Sequence, residues 1–185
     1  REGDRTTAFR LAEFAHRYVE KENLNVLRAL VEVFHFNDNP ARQSLPCYSN
    51  FEGHAADVRC VVFSPDGKKI ATGAGDNTAR IWDAQSGKTI LTLTGHTSAV
   101  NSIAFSPDGK MLATGSADQT AKIWDLESGK ATQTFEGHSA VVWEVAISPD
   151  GKMLATSSED NTTNIWDITS GEIIQTLKGH SSGIE

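Results

Sequence analysis

The sequence predicts a mainly β fold, made of three copies of a four-stranded antiparallel unit and preceded by a short α-helical hairpin. Three observations carry this expectation. Gly-His recurs at Gly53-His54, Gly95-His96, Gly137-His138 and Gly179-His180, each step being 42 residues. Trp-Asp recurs at the same interval, at Trp82-Asp83, Trp124-Asp125 and Trp166-Asp167. Between these marks, β-branched and aromatic runs alternate with turn residues. A fixed period of this length belongs to architectures in which each repeat buries its faces only against its neighbours. Four short strands per period make one blade of a propeller.

Residues 1–40 read differently from the rest. From Asp4 to Asn23, Ala8, Leu11, Ala12, Ala15, Tyr18 and Val19 recur at helical spacing, with Phe9 and Phe14 flanking the stripe. Asn23 is placed to cap a second helix from Leu24 to about Phe34, with Leu27, Leu30, Val31 and Phe34 on one face. Asn37-Asp38-Asn39-Pro40 ends it. Such a helical hairpin, or linker, must pack on something to cover both apolar stripes. Residues 41–185 then form the repeat region.

The middle unit, 95–136, shows the internal order. Val100 to Phe105 reads as the first strand. Ser106-Pro107-Asp108-Gly109-Lys110 is turn chemistry, because proline pre-sets φ and glycine supplies positive φ. Met111 to Gly115 reads as the second strand, Ala117-Asp118-Gln119 as a tight polar turn and Thr120 to Trp124 as the third strand. Ser128-Gly129-Lys130 turns again, and Ala131 to Phe135 is the fourth strand. Units 53–94 and 137–178 repeat this order without insertions. Ser-Pro-Asp-Gly-Lys and Ile-Trp-Asp are constant in all three. Positions 57, 59 and 75 and their counterparts are not: Asp57, Arg59, Gly75; Ala99, Asn101, Ala117; Val141, Trp143, Glu159. A rigid scaffold with a variable face leaves this signature. Trp143 is the one tryptophan of four outside the Ile-Trp-Asp strands, and Trp and Arg are enriched at interface hot spots.

These motifs, in register over residues 49–185, resemble the WD-repeat β-propeller family. The resemblance implies blades arranged radially, with the first strand of each inside and the fourth outside. It implies a buried hydrogen-bonded tetrad in each blade: His54, Thr72, Asp76, Trp82; His96, Thr114, Asp118, Trp124; His138, Thr156, Asp160, Trp166. A buried carboxylate in a tight turn must be paired, and a histidine donates to it and links onward to a hydroxyl and an indole N–H. The resemblance also places the variable positions on the top face, where Trp143, Arg59, Asn101, Asp57, Val141 and Glu159 are candidate contacts for a protein or peptide partner. Trp143 has a second reading, packing on a neighbouring blade. A weaker resemblance links Arg10-Leu11-Ala12-Glu13 and the capped second helix to helical linkers of bacterial multidomain signalling proteins that end in a WD-repeat sensor; an ordinary helical extension is the alternative.

Other chemistries fit poorly. His, Asp and Thr could be read as a hydrolytic triad, but the set recurs in every unit and threonine is a rare nucleophile away from a chain N-terminus. The repeated histidines belong to different blades, which argues against a metal site. Ser86-Gly87-Lys88-Thr89 lacks the first glycine of a phosphate loop, since Trp82 stands there. Gly73-Ala74-Gly75 lacks the third glycine of a dinucleotide fingerprint, and the Pro-Asp-Gly turns lack calcium-loop spacing. No cofactor is expected, and catalysis, if any, would lie in a domain outside this chain.

Three units do not close a ring of the usual 4–8 blades. Tyr48 to Glu52 aligns with the outer strands by the same step, as a first outer strand, and residues 179–185 begin a fourth unit. The expectation is a piece of a larger propeller whose last blade accepts Tyr48–Glu52. The rival is a head-to-tail homo-oligomer, in which that segment would be redundant with the third unit's own fourth strand.

Charge and cysteine complete the reading. Residues 1–50 hold seven Lys/Arg and seven Asp/Glu, so residues 51–185, with ten and seventeen, carry the whole net charge of −7. An acidic repeat region without a basic stripe argues against nucleic-acid binding. No apolar run reaches the roughly 18 residues of a membrane span. The absence of a leader and the two cysteines, Cys47 and Cys60, point to a reducing cytoplasm. The functional expectation is a non-enzymatic interaction scaffold or sensor within a larger cytoplasmic signalling protein. The alternative is a structural, consensus-like repeat protein with no partner of its own.

Overall fold

A computed structural model describes residues 51–179. The expected helical hairpin, residues 48–50 of the expected outer strand and residues 180–185 of the fourth unit lie outside the described residues. The described part contains three four-stranded antiparallel sheets. Blade 1 is β1 (Val58–Phe63), β2 (Lys69–Ala74), β3 (Thr78–Asp83) and β4 (Thr89–Thr94). Blade 2 is β5 (Val100–Phe105), β6 (Met111–Ser116), β7 (Thr120–Asp125) and β8 (Lys130–Glu136). Blade 3 is β9 (Val142–Ile147), β10 (Met153–Ser158), β11 (Thr162–Asp167) and β12 (Ile173–Lys178). Each sheet is a simple meander in chain order. The first strands of successive blades lie beside one another, and the fourth strands face outward.

The turns are built by the repeated polar residues. In the first, Ser64 Oγ donates to Asp66 Oδ1 (2.6 Å) and accepts from Lys69 N–H (2.9 Å), while Gly67 N–H closes onto Ser64 C=O (2.8 Å). In the second, Asn77, Gln119 and Asn161 adopt φ of 67°, 72° and 67°. Glutamine is an unusual occupant of that left-handed region. In the third, the Asp of Trp-Asp serves the turn: Asp83 Oδ1 accepts from Ser86 N–H (2.7 Å) and Ser86 Oγ (2.6 Å).

The core lies between blades, not within them. Blade 1 presents Ala71, Ala79, Ile81 and Leu93 to Val100, Ile103, Leu112, Trp124 and Leu126 of blade 2. One period later, Ala113, Ala121, Ile123 and Phe135 meet Val142, Val145, Leu154 and Trp166. At both interfaces the rear face brings its tryptophan, and the forward face offers alanines and an isoleucine with one large side chain from the fourth strand, Leu93 or Phe135. Gly73 and Gly115 allow close approach here. A Cβ on Gly115 would stand 2.8 Å from Val145 Cγ1 and 2.9 Å from Val142 Cγ1, too near for contact. Phe51 meets Trp82 edge-on at 5.6 Å, as Phe135 meets Trp166 at 5.3 Å. Phe51 thus holds the place that the fourth strand of a preceding blade holds elsewhere, although neither Phe51 nor Glu52 is in a strand.

Candidate functional site

All twelve expected tetrad residues come together as three near-identical sets. His Nδ1 lies 2.9, 2.8 and 2.8 Å from Oδ2 of Asp76, Asp118 and Asp160. His Nε2 lies 2.7, 2.7 and 2.8 Å from Oγ1 of Thr72, Thr114 and Thr156. The indole N–H of Trp82, Trp124 and Trp166 donates to the same hydroxyl at 2.8 Å in each blade. The network assigns the proton positions. The carboxylate only accepts, so histidine is protonated on Nδ1, and the threonine hydroxyl donates to Nε2 while accepting from the indole.

The sequence reading missed a fifth member. Thr78, Thr120 and Thr162 donate through Oγ1 to the other carboxylate oxygen at 2.6, 2.7 and 2.6 Å. Backbone N–H groups of Ala55, Thr97 and Ser139 add a bond to Oδ2 at 2.8, 3.0 and 3.0 Å. The signal was present in the sequence, since threonine recurs two residues after each of these aspartates.

Electrostatics follow from this shell. Burial pushes the Asp118 carboxyl up, but the hydrogen bonds from Thr120, Thr97 N–H and His96 outweigh it and bring its pKa to about 2. Asp160 reaches about 2 by the same opposition of burial and bonds from Thr162, His138 and Ser139 N–H. Asp76 is held lower still. Burial depresses His96 below its ordinary value against the pull of Asp118. The hydroxyls that a triad would need as nucleophiles are sealed: Thr114 is 0% and Thr156 1% exposed, and both are committed to a ring nitrogen and an indole. These sets brace the blades. Among the described residues, no group of three or more His, Cys, Asp or Glu side chains is placed to hold a metal ion.

The variable positions gather on one rim. Gly75 N–H bonds Asp57 C=O (2.8 Å), Ala117 N–H bonds Ala99 C=O (2.9 Å) and Glu159 N–H bonds Val141 C=O (3.0 Å). The turn before each third strand is thereby tied to the start of its inner strand. Arg59, Asn101 and Trp143 are the residues skipped where the inner strand slips register against the second strand. Such a bulge re-aims a side chain away from the ladder. Arg59 and Asn101 reach to the next blade: Arg59 Nη1 donates to Asn101 Oδ1 (2.9 Å), and Asn101 Nδ2 donates to Val142 C=O (3.1 Å). Arg59 Nε also donates to Asp57 Oδ2 (3.2 Å). Trp143, third in this row, is 37% exposed, whereas the other tryptophans are 1–2% exposed. Sequence spacing could not show that part of the rim's hydrogen bonding is used between blades.

Comparison with known proteins agrees with this geometry. The profile of the family described as "WD domain, G-beta repeat" matches residues 45–83, 87–125 and 129–167, the second and third matches each running from one blade's fourth strand through the next blade's first three. The Notchless protein homolog of Arabidopsis thaliana is 38% identical over 79 residues, 40% of this chain and 16% of that protein. The vegetative incompatibility protein HET-E-1 of Podospora anserina is 52% identical over 41 residues, 22% of this chain and 3% of the relative. The crystal structure of RRP9 WD40 repeats superposes with a TM-score of 0.69 at 30% identity, over 72% of this chain and 42% of that one. The chain therefore spans only a small part of these sequence relatives and under half of the structural one. With three matched repeats, three matching blades and three complete tetrads, the chain belongs to the WD-repeat family.

Proposed function

We propose that this chain is a non-enzymatic module that binds a protein or peptide on the rim built from Asp57, Arg59, Asn101, Val141, Trp143 and Glu159. WD repeats generally mediate protein–protein interaction, and that supports the class of function. One observation carries the site. The braced interior repeats to within 0.1 Å in every tetrad bond, while no two blades agree at positions 57, 59 or 75 or their counterparts. A scaffold held that constant beneath side chains that varied suits recognition. The chemistry of the rim is mixed: a cation at Arg59, an amide at Asn101, an exposed indole at Trp143 and a carboxylate at Glu159. This suits an extended peptide with both an acidic and an apolar or cationic side chain. In this reading the module serves as scaffold or sensor within a larger cytoplasmic signalling protein.

The test is a displayed random-peptide library selected on the full chain. Selected peptides should lose on the order of tenfold in affinity for Trp143→Ala or Arg59→Ala, hot-spot behaviour, while both variants melt cooperatively. Peptides that bind a combined Arg59→Ala, Asn101→Ala, Trp143→Ala variant as well as the native chain would overturn the rim assignment.

A further inference from the structure

We infer that the rim takes a basic side chain of its partner, arginine above all, at one place: the set Val141, Trp143 and Glu159 on blade 3. Resting on the rim as the binding surface, this narrows recognition to one blade and one charge.

The three variable positions of a blade adjoin one another, and blade 1 shows it directly. Asp57 Oδ1 lies 2.6 Å from the place a Cβ would take on Gly75, and Asp57 Oδ2 accepts from Arg59 Nε at 3.2 Å. Blade 3 repeats the backbone that brings these positions together. Glu159 N–H bonds Val141 C=O as Gly75 N–H bonds Asp57 C=O, and Trp143 is skipped by a slip of register like the one at Arg59. Val141, Trp143 and Glu159 are thus neighbours on the rim.

The three sets differ in what they leave unused. In blade 1 the cation and the carboxylate meet each other, and Arg59 Nη1 also donates to Asn101 Oδ1 at 2.9 Å. In blade 2 Ala99 and Ala117 carry no polar side-chain group, and Asn101 is spent on Arg59 and on Val142 C=O at 3.1 Å. That last bond ends on the backbone next to Trp143 and steadies it. Among the described blades, blade 3 alone keeps a charge and an aromatic face uncommitted. Trp143 and Glu159 are exposed, and so is Glu144, which follows Trp143 in β9. Among the described residues, no lysine, arginine or histidine pairs with Glu144 or Glu159.

This set has the chemistry of a seat for a cation. An indole face attracts a cation through its quadrupole, tryptophan most strongly. The planar guanidinium of arginine stacks on such a ring while its N–H fork reaches a carboxylate, which the point charge of lysine does less well. Val141 offers a partly buried apolar surface for the methylene stem. The surroundings favour the same sign: residues 51–185 hold ten Lys/Arg and seventeen Asp/Glu, so a basic segment is drawn to this region. An acidic side chain here would meet like charge, and an apolar one would strip water from Glu159 without replacing it.

The test takes peptides selected on the full chain from a displayed random library and keeps those that lose affinity for Trp143→Ala. They should carry an arginine or lysine whose replacement by its neutral counterpart, citrulline or norleucine, costs on the order of tenfold in affinity. On a Glu159→Gln chain the same replacement should cost less, about threefold. A second measurement needs no library. N-acetyl-arginine amide should shift the indole N–H resonance of Trp143 more than N-acetyl-citrulline amide does, and Glu159→Gln should shrink the difference. The other three indole N–H groups, each bonded to a threonine, serve as controls. Peptides that need Trp143 but bind equally well with citrulline or norleucine would overturn the cation seat and leave the rim standing. Peptides that bind the combined Arg59→Ala, Asn101→Ala, Trp143→Ala variant as well as the native chain would overturn both. Should the library yield no binder, the two amides decide, and equal shifts overturn the seat.

Discussion

Blades 2 and 3 share most of their sequence pattern and all of their strand order, yet their outer residues live in different environments. Phe135 is 2% exposed between the blades, whereas Leu177, its counterpart one period later, is 45% exposed. Ile123 is fully buried and Ile165 is not. Within a blade the strands and the tetrad are the same, so the difference comes from neighbours alone. A repeat of this kind closes its own strand ladders and tetrad but not its core, and its stability is a sum of blade and interface terms.

The sharpest way to break this comparison is to truncate equivalent residues. Phe135→Ala removes an aromatic ring from the junction and from Trp166, and should cost about 3–5 kcal/mol by urea unfolding. Leu177→Ala should cost under about 0.5 kcal/mol. Comparable losses would show that blade 3 is covered by something in solution. Next in size is Thr114→Val, which keeps the shape but leaves His96 Nε2 and the Trp124 N–H without their shared hydroxyl. Roughly 1–3 kcal/mol per orphaned group is expected, and a neutral result would mean that the tetrad does not brace the blade.

Acid should then act in two stages. His96 has a folded pKa below the ordinary 6.5, so the folded state resists its protonation. Its contribution is complete above that value and is lost as pH falls through 6.5 and below. Asp118 and Asp160, lowered from 3.8 to about 2, contribute above about pH 4 and lose that contribution as pH falls toward 2. Thermal melts between pH 8 and 2 should show a shallow decline followed by a steep one, and His96→Gln should remove the contribution of His96 to the shallow stage. The smallest stability effect belongs to Trp143→Ala, within about 0.5 kcal/mol, although binding at the rim should suffer. A large loss would assign Trp143 to blade packing instead.

Much of this was readable in the residues. β5 was expected at Val100–Phe105 and is found there, because Pro-Asp-Gly and the Gly-His mark bound it on both sides. The neighbouring strands extend a residue or so past the expected ends, since ladder pairing outlasts the apolar run. The tetrads were legible through the resemblance to the WD-repeat family, whose motif positions recur here at each 42-residue step. What lay hidden depends on pairing between strands or between repeats. The bulges that expel Arg59, Asn101 and Trp143 are slips of register, invisible to a period count. The Arg59–Asn101 bridge joins residues one whole repeat apart. Ser157 and Thr163 look like ordinary substitutions until the ladder sets them side by side.

The most direct test is hydrogen exchange across the intact chain, resolved by strand. If neighbours supply the core, amides of β6 and β7, sealed on both faces, should exchange on the order of tenfold more slowly than those of β10 and β11, with β12 opening first. Equal protection in blades 2 and 3 would contradict the account, because a forward face without a neighbour among the described residues would then carry no energetic consequence.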